Sequence, residues 1–338
     1  MEPLNPRDRV LNALTGKSVD RIPVTAVTQT GTVEFMEATG ARWPEAHSNP
    51  ELMVKLALAA YELAGLETAR IPFGLTVLAD ALGAEVNMGT IDRQPSVREH
   101  PYSSGLSEFK IPENLLELKR IPVVLEAVHL LKEKVGGSLP VIVGFEGPAT
   151  LAGHLMGIER MAIWTRKKPV EVKRALEAAT EVNVRYAEAL VKAGADVLVP
   201  CDPSASSDLF NPKDFEAMIK PFLARLAEEI RAVKVLHICG KVTPIVRAMA
   251  ETGYDSLSIE EKVNMKEAKR LAGDLATIVG NISPAKTLLL GTPQEVKKES
   301  VQAINDGADA LAPGCGLAPR TPIANLKAMV EAALKYKS

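Results

Sequence analysis

His237 and Cys239 stand two residues apart in the run Val235-Leu236-His237-Ile238-Cys239-Gly240, and another cysteine lies far downstream in Pro313-Gly314-Cys315-Gly316. Imidazole nitrogen and thiolate sulfur are donors that zinc prefers, and three protein donors with one open position suit a catalytic rather than a structural ion. If the run is a strand, alternation puts His237 and Cys239 on one face and Leu236 and Ile238 on the other. One face is then chemical and the other packs. A single free cysteine usually behaves as a small buried hydrophobe. An imidazole and a thiol on the same face of a strand shift that balance toward a metal, and Cys315 shifts it further if the fold brings it close. Cys201, which ends another apolar run before Asp202-Pro203, is the competing sulfur and is assigned to packing or to a supporting position.

Positioning these donors requires elements from distant parts of the chain. Short apolar runs predict eight strands, near Arg21 to Val27, Thr68 to Phe73, Pro140 to Phe145, Ala195 to Cys201, Val233 to Cys239, Asp255 to Glu260, Ala276 to Asn281 and Asp309 to Gly314. Amphipathic stretches lie between them, with start signals such as Asn49-Pro50-Glu51 before Leu52 to Leu63 and Thr292-Pro293-Gln294-Glu295 before Val296 to Ile304. Alternating strand and helix units predict an α/β fold, a single (β/α)8 TIM barrel over residues 1–338 with an N-terminal helical extension. The interval Ala79 to Leu118 carries Pro95, Pro101 and Pro112 and is too long for a plain crossover, so it is expected to be an insertion after the second strand that covers one end of the barrel.

Barrel active sites gather at the C-terminal ends of the strands. His237 and Cys239 end the expected fifth strand there, and Cys315 follows the eighth. In the sixth, Ser256-Leu257-Ser258-Ile259-Glu260-Glu261, alternation turns Leu257 and Ile259 toward the helices, Glu260 inward and Glu261 outward. Most glutamates near a strand end are simply solvated; Glu260 differs in its expected direction, toward the metal. Asn281 and Ser283 end the seventh strand, and loops after strands seven and eight of such barrels often bind anionic groups, which makes both candidate ligand contacts. His47, His100 and His129 sit in polar loop or helical contexts as surface or capping residues, and His154 reads as a half-buried helical side chain.

Composition excludes several classes. The chain has 338 residues, 46% hydrophobic and 24% charged, with a net charge of −2. It offers no global basic field for nucleic acid and no apolar stretch long enough for a bilayer. The polar start Met1-Glu2-Pro3-Leu4-Asn5 does not resemble a secretory signal. Three cysteines cannot all pair with one another, which fits a reducing, cytoplasmic setting better than a disulfide framework.

The segments Leu236-His237-Ile238-Cys239-Gly240-Lys241, Gly280-Asn281-Ile282-Ser283-Pro284, Gly291-Thr292-Pro293-Gln294-Glu295-Val296 and Pro313-Gly314-Cys315-Gly316 through Thr321-Pro322-Ile323-Ala324-Asn325-Leu326 resemble the uroporphyrinogen decarboxylase superfamily. The His-x-Cys with a late Cys is similar to the methylcobamide:coenzyme M methyltransferases of methanogens, whose three zinc ligands match His237, Cys239 and Cys315. Val27-Thr28-Gln29-Thr30-Gly31-Thr32-Val33-Glu34, Trp43-Pro44-Glu45-Ala46-His47 and Asn87-Met88-Gly89-Thr90 look most like the methanol-pathway branch. The resemblance implies a zinc enzyme of methanogenesis that takes a methyl group from a methyl-Co(III) corrinoid, supplied by a partner protein, to the thiol of coenzyme M (2-mercaptoethanesulfonate). Glu260 would hold or guard the fourth zinc position, in competition with water. Uroporphyrinogen decarboxylase itself is the alternative, but Thr28 to Gly40 contains no Arg or Lys for a multiply carboxylated substrate, and decarboxylation needs no metal. A corrinoid- or zinc-binding protein without turnover is the alternative from another class.

Overall fold

Seven of the expected strands form one parallel sheet, in the order β1 (Ala69–Ile71), β4 (Val141–Glu146), β5 (Val197–Cys201), β6 (Val233–His237), β7 (Ser256–Ser258), β8 (Thr277–Ile282) and β9 (Ala310–Pro313). This is a computed structural model that describes residues 2–105 and 109–336. Met1 and residues 337–338 of the expected 1–338 domain, and residues 106–108 of the expected insertion, lie outside the described residues. Helices such as Pro50–Ala64, Pro169–Ala193 and Pro293–Asn305 connect the strands. Two start where their cap residues require: Leu52 N donates to Asn49 Oδ1 at 3.0 Å, and Thr292 forms a reciprocal capping box with Glu295.

The expected first strand is reduced to a parallel bridge between Val24 and Leu311. Pro23 has no N–H to give to a ladder, yet the segment bonds to both sheet edges. Leu311 N donates to Pro23 O and Thr25 N to Leu311 O, each at 2.9 Å, while Glu67 N donates to Val24 O at 2.7 Å. The sheet is therefore curled enough for β1 and β9 to share one neighbour. Likewise, β1 stops at Ile71 because Pro72 follows.

Alternation sorts the strand side chains into two layers. Leu236, Ile238, Leu257, Ile259 and Ile278 pack outward against the helices, whereas Ile142, Val197, Val199, Cys201, Val235 and Val279 fill the concave side. Val10, Ala13 and Leu14 of the Pro6–Leu14 helix join that inner layer. The interval after β1 carries an antiparallel hairpin, β2 (Glu85–Asn87) with β3 (Ser96–Glu99). Its turn is held to the segment after β9 by a 2.8 Å ion pair between Asp92 and Arg320.

Candidate metal centre

β6 ends at His237, two residues earlier than expected, and the chain turns away through Gly240 at φ +89°. The imidazole still points to the concave side with Val235, and Cys239 remains next to it. Cys315 arrives on the loop after β9. One donor atom from each of His237, Cys239 and Cys315 lies within 4.8 Å of the others. The distant cysteine and the local pair thus occupy one place; the carboxylate of Glu260 is outside this set.

Neighbouring strands orient the donors. His237 pairs with Ser258 across the β6–β7 ladder, and its Nδ1 is 3.0 Å from Ser258 Oγ. That contact leaves Nε2 as the nitrogen available to an ion and sets the ring's direction, a common device at metal sites. Gly314 lets the Cys315 loop press against β7's exit: a Cβ there would be 3.0 Å from Glu260 Cα and 2.9 Å from Glu261 N. On the other side, Leu317 N donates to Gln29 O at 3.0 Å, and the Gln29 carboxamide bonds to Leu317 O and, at 2.7 Å, to Gly31 N. Gln29 thereby stitches the cysteine loop to the segment after the first expected strand.

Cys239 and Cys315 are hydrogen-bonded to one another, so the ionisation of one sulfur opposes that of the other. The hydrogen bond from Cys239, helped by His237, holds Cys315 well below the usual thiol range, and the same Cys315 contact with burial pushes Cys239 well above it. A site that readily gives up one thiol proton is suited to a cation, which would displace the second. Cys201 differs: it lies opposite His237 in the ladder and burial pushes it up to about 12. It remains a thiol, with Sγ 3.5 Å from Val199 O, and stands outside the donor set.

Glu260 is 7% exposed, whereas Glu261 beside it is exposed. The Glu260 carboxylate pairs with Lys262 at 3.0 Å and is close enough to Cys239 to oppose its ionisation. Asn281 and Ser283 are both nearly buried, and their polar groups are engaged with this same loop. Asn281 Nδ2 donates to Glu260 O at 3.2 Å and Val263 O at 2.8 Å; Ser283 Oγ donates to Glu261 Oε1 at 3.2 Å and accepts from Lys286 N. They hold the turn that presents Glu260.

The three donors line a cavity of about 150 Å³ together with Thr28, Gln29 and Arg70. Sequence reasoning did not single out Ser258, Gln29, Thr28 or Arg70. Arg70 did carry a signal, being a charged residue inside an apolar strand. The role of Ser258 depends on strand register, and that of Gln29 on a loop folded back from almost the far end of the chain.

The family model "Uroporphyrinogen decarboxylase (URO-D)" matches residues 5–336. The chain is 49% identical over 331 residues to "Methylcobamide:CoM methyltransferase MtaA" of Methanosarcina barkeri, covering 98% of each. It is 37% identical over 340 residues to "Methylcobamide:CoM methyltransferase MtbA" of Methanosarcina mazei, covering 100% of each. A solved structure titled "methyltransferase from Methanosarcina mazei" superimposes with a TM-score of 0.96 at 49% identity, covering 98% of this chain and 99% of the other.

Proposed function

The chain belongs to the uroporphyrinogen decarboxylase family, and we propose that it transfers a methyl group from a methylcobamide to the thiol of coenzyme M, with zinc held by His237, Cys239 and Cys315. The observation that carries this reading is the convergence of one nitrogen and two sulfurs on a single small cavity. The likeness to methyltransferases over nearly the whole chain supplies the reaction. We also read the sheet together with the Val24 segment as one (β/α)8 barrel, with the site at the C-terminal ends of its strands.

The donor set suits zinc, since three protein ligands leave a fourth position for substrate. A bound ion would lower the pKa of the incoming thiol so that it reacts as a thiolate near neutral pH. Ser258 keeps His237 in one orientation, and Gln29 keeps the Cys315 loop in place. With two cysteinates and a neutral imidazole holding a doubly charged ion, an added thiolate would leave the site formally anionic, which would keep that sulfur nucleophilic. The thiol proton leaves to solvent. The sulfur attacks the methyl carbon, the S–C bond forms as the Co–C bond breaks, and the electron pair departs with cobalt as Co(III) becomes Co(I). No general acid is needed. A cavity of about 150 Å³ admits a short thiol and not a tetrapyrrole. The corrinoid must therefore present its methyl group from outside, on a partner protein docked over the strand ends. Glu260, buried beside Cys239, is the carboxylate that would hold or guard the ion's open position before the thiol binds.

The deciding experiment is anaerobic incubation of the zinc-loaded chain with methylcobalamin and coenzyme M. Methyl thioether should form in step with demethylation of the cobalamin, faster with a methylated corrinoid protein, and stop when zinc is removed. Absence of thioether with either donor would overturn the assignment. Glu260→Gln should keep its zinc, because the three donors remain, while thiol KM or turnover changes by about 10-fold; Glu261→Gln should do little. Wild-type thiol affinity and turnover in Glu260→Gln would remove the carboxylate from the mechanism.

A further inference from the structure

We propose that Arg70 and Thr28 seat the sulfonate of coenzyme M, a role that rests on the methyl-transfer reading and names the residues that select its thiol substrate. Arg70 is in the middle of β1, paired with Ile142 of the inner layer, while its neighbours Ala69 and Ile71 face the helices. Its side chain therefore enters the concave side, where it is 1% exposed. Gly144 makes the space: a Cβ at that position would run into Arg70 Nη2. Nε donates to Val27 O at 3.3 Å, Nη1 donates to Pro72 O, and the guanidinium also bonds to the Cys201 sulfur; among the described residues no carboxylate pairs with it. Of the two sulfurs that act on it, Cys201 stays a neutral thiol, and Cys315 is a metal donor whose negative charge a bound ion would take up. A buried cation without a carboxylate partner is costly. An anionic ligand group would offset that cost.

Thr28 supplies a second, independent sign. It is 4% exposed, lines the same cavity, and its Oγ1 has no hydrogen-bond partner among the described residues. Buried hydroxyls are rarely left in that state. A sulfonate is anionic at every physiological pH, offers three acceptor oxygens, and in coenzyme M is only two carbons from the sulfur. Its seat must therefore share a cavity with the metal donors, as Arg70 and Thr28 do. The free N–H groups of a guanidinium and a hydroxyl match its oxygens.

The test compares coenzyme M with 2-mercaptoethanol, which has the thiol and no sulfonate, on the zinc-loaded chain. Arg70→Met should lower the ratio of their kcat/KM values about 100-fold, and Thr28→Val about 5-fold, as expected for lost hydrogen bonds to a charged group and to a neutral donor. Arg70→Lys should restore part of the ratio, since it keeps the charge but not the fork. Calorimetry with ethanesulfonate, which cannot be methylated, should detect binding to the wild type and none to Arg70→Met. Unchanged discrimination in both Arg70→Met and Thr28→Val would overturn the proposal. So would an equal loss with both thiols, which would make Arg70 a charge balance for the thiolates instead. If the wild type methylates neither thiol, the methyltransferase reading fails, and ethanesulfonate binding still decides whether the anion seat exists.

Discussion

Cys315→Ala should lose its zinc and its methyl transfer together. The apparent binding free energy of a four-ligand structural zinc site is about 10–16 kcal/mol, so an even share is roughly 3 kcal/mol per ligand, or at least about 100-fold in affinity. The loss is sharper here because three protein donors, not four, converge among the described residues. Cys239→Ala should behave in the same way, and Cys201→Ala should keep both metal and activity, since Cys201 lies outside the donor set. The measurement is zinc per chain after dialysis against a weak chelator, beside circular dichroism to show that each variant is folded. The wild type should retain about one ion. Full retention in Cys315→Ala would remove that cysteine from the site.

Glu67→Gln should destabilise the fold by about 3 kcal/mol while leaving the zinc content unchanged. Glu67 is buried where the Val24 segment meets β1, and it accepts from both Arg9 and Arg21, the latter at 2.6 Å. Arg9, itself buried, links the Pro6–Leu14 helix to this point and also pairs with Asp20 at 2.7 Å. Taking one charge from such a cluster leaves its partners buried and less compensated, the costly way to break an ion pair. Urea denaturation at neutral pH measures the change; a midpoint within error of the wild type would show the cluster to be energetically idle. The same cluster gives the fold an acid limit. The Arg9 hydrogen bond holds Asp20 at about 2, below the usual carboxylate range. Because the folded value is depressed, its contribution is present above the unfolded value near 4 and is lost as pH falls toward 2.

Much of this protein is legible along the chain because its signals are local. Seven apolar runs became strands, since a short continuous apolar run marks a strand buried on both faces from its own residues alone. Asn49 and Thr292 start their helices because a cap involves residues three apart. Two donors at i and i+2 announce a shared face, and Leu257 and Ile259 packed outward as alternation requires, with Glu260 buried beside exposed Glu261. Proline limited the reading: Pro23 reduced the first expected strand to a bridge, and Pro72 shortened the next, because a residue without an N–H cannot continue a ladder. Only the tertiary structure brought Cys315 to His237 and Cys239, set Ser258 against the imidazole, folded Gln29 onto the cysteine loop and turned Arg70 into the cavity that the donors line. Each of these depends on register between strands or on the path of a loop joining residues far apart in sequence. Alternation tells which side of a strand a residue occupies; what stands across from it is decided by the curl of the sheet and the packing of the whole chain.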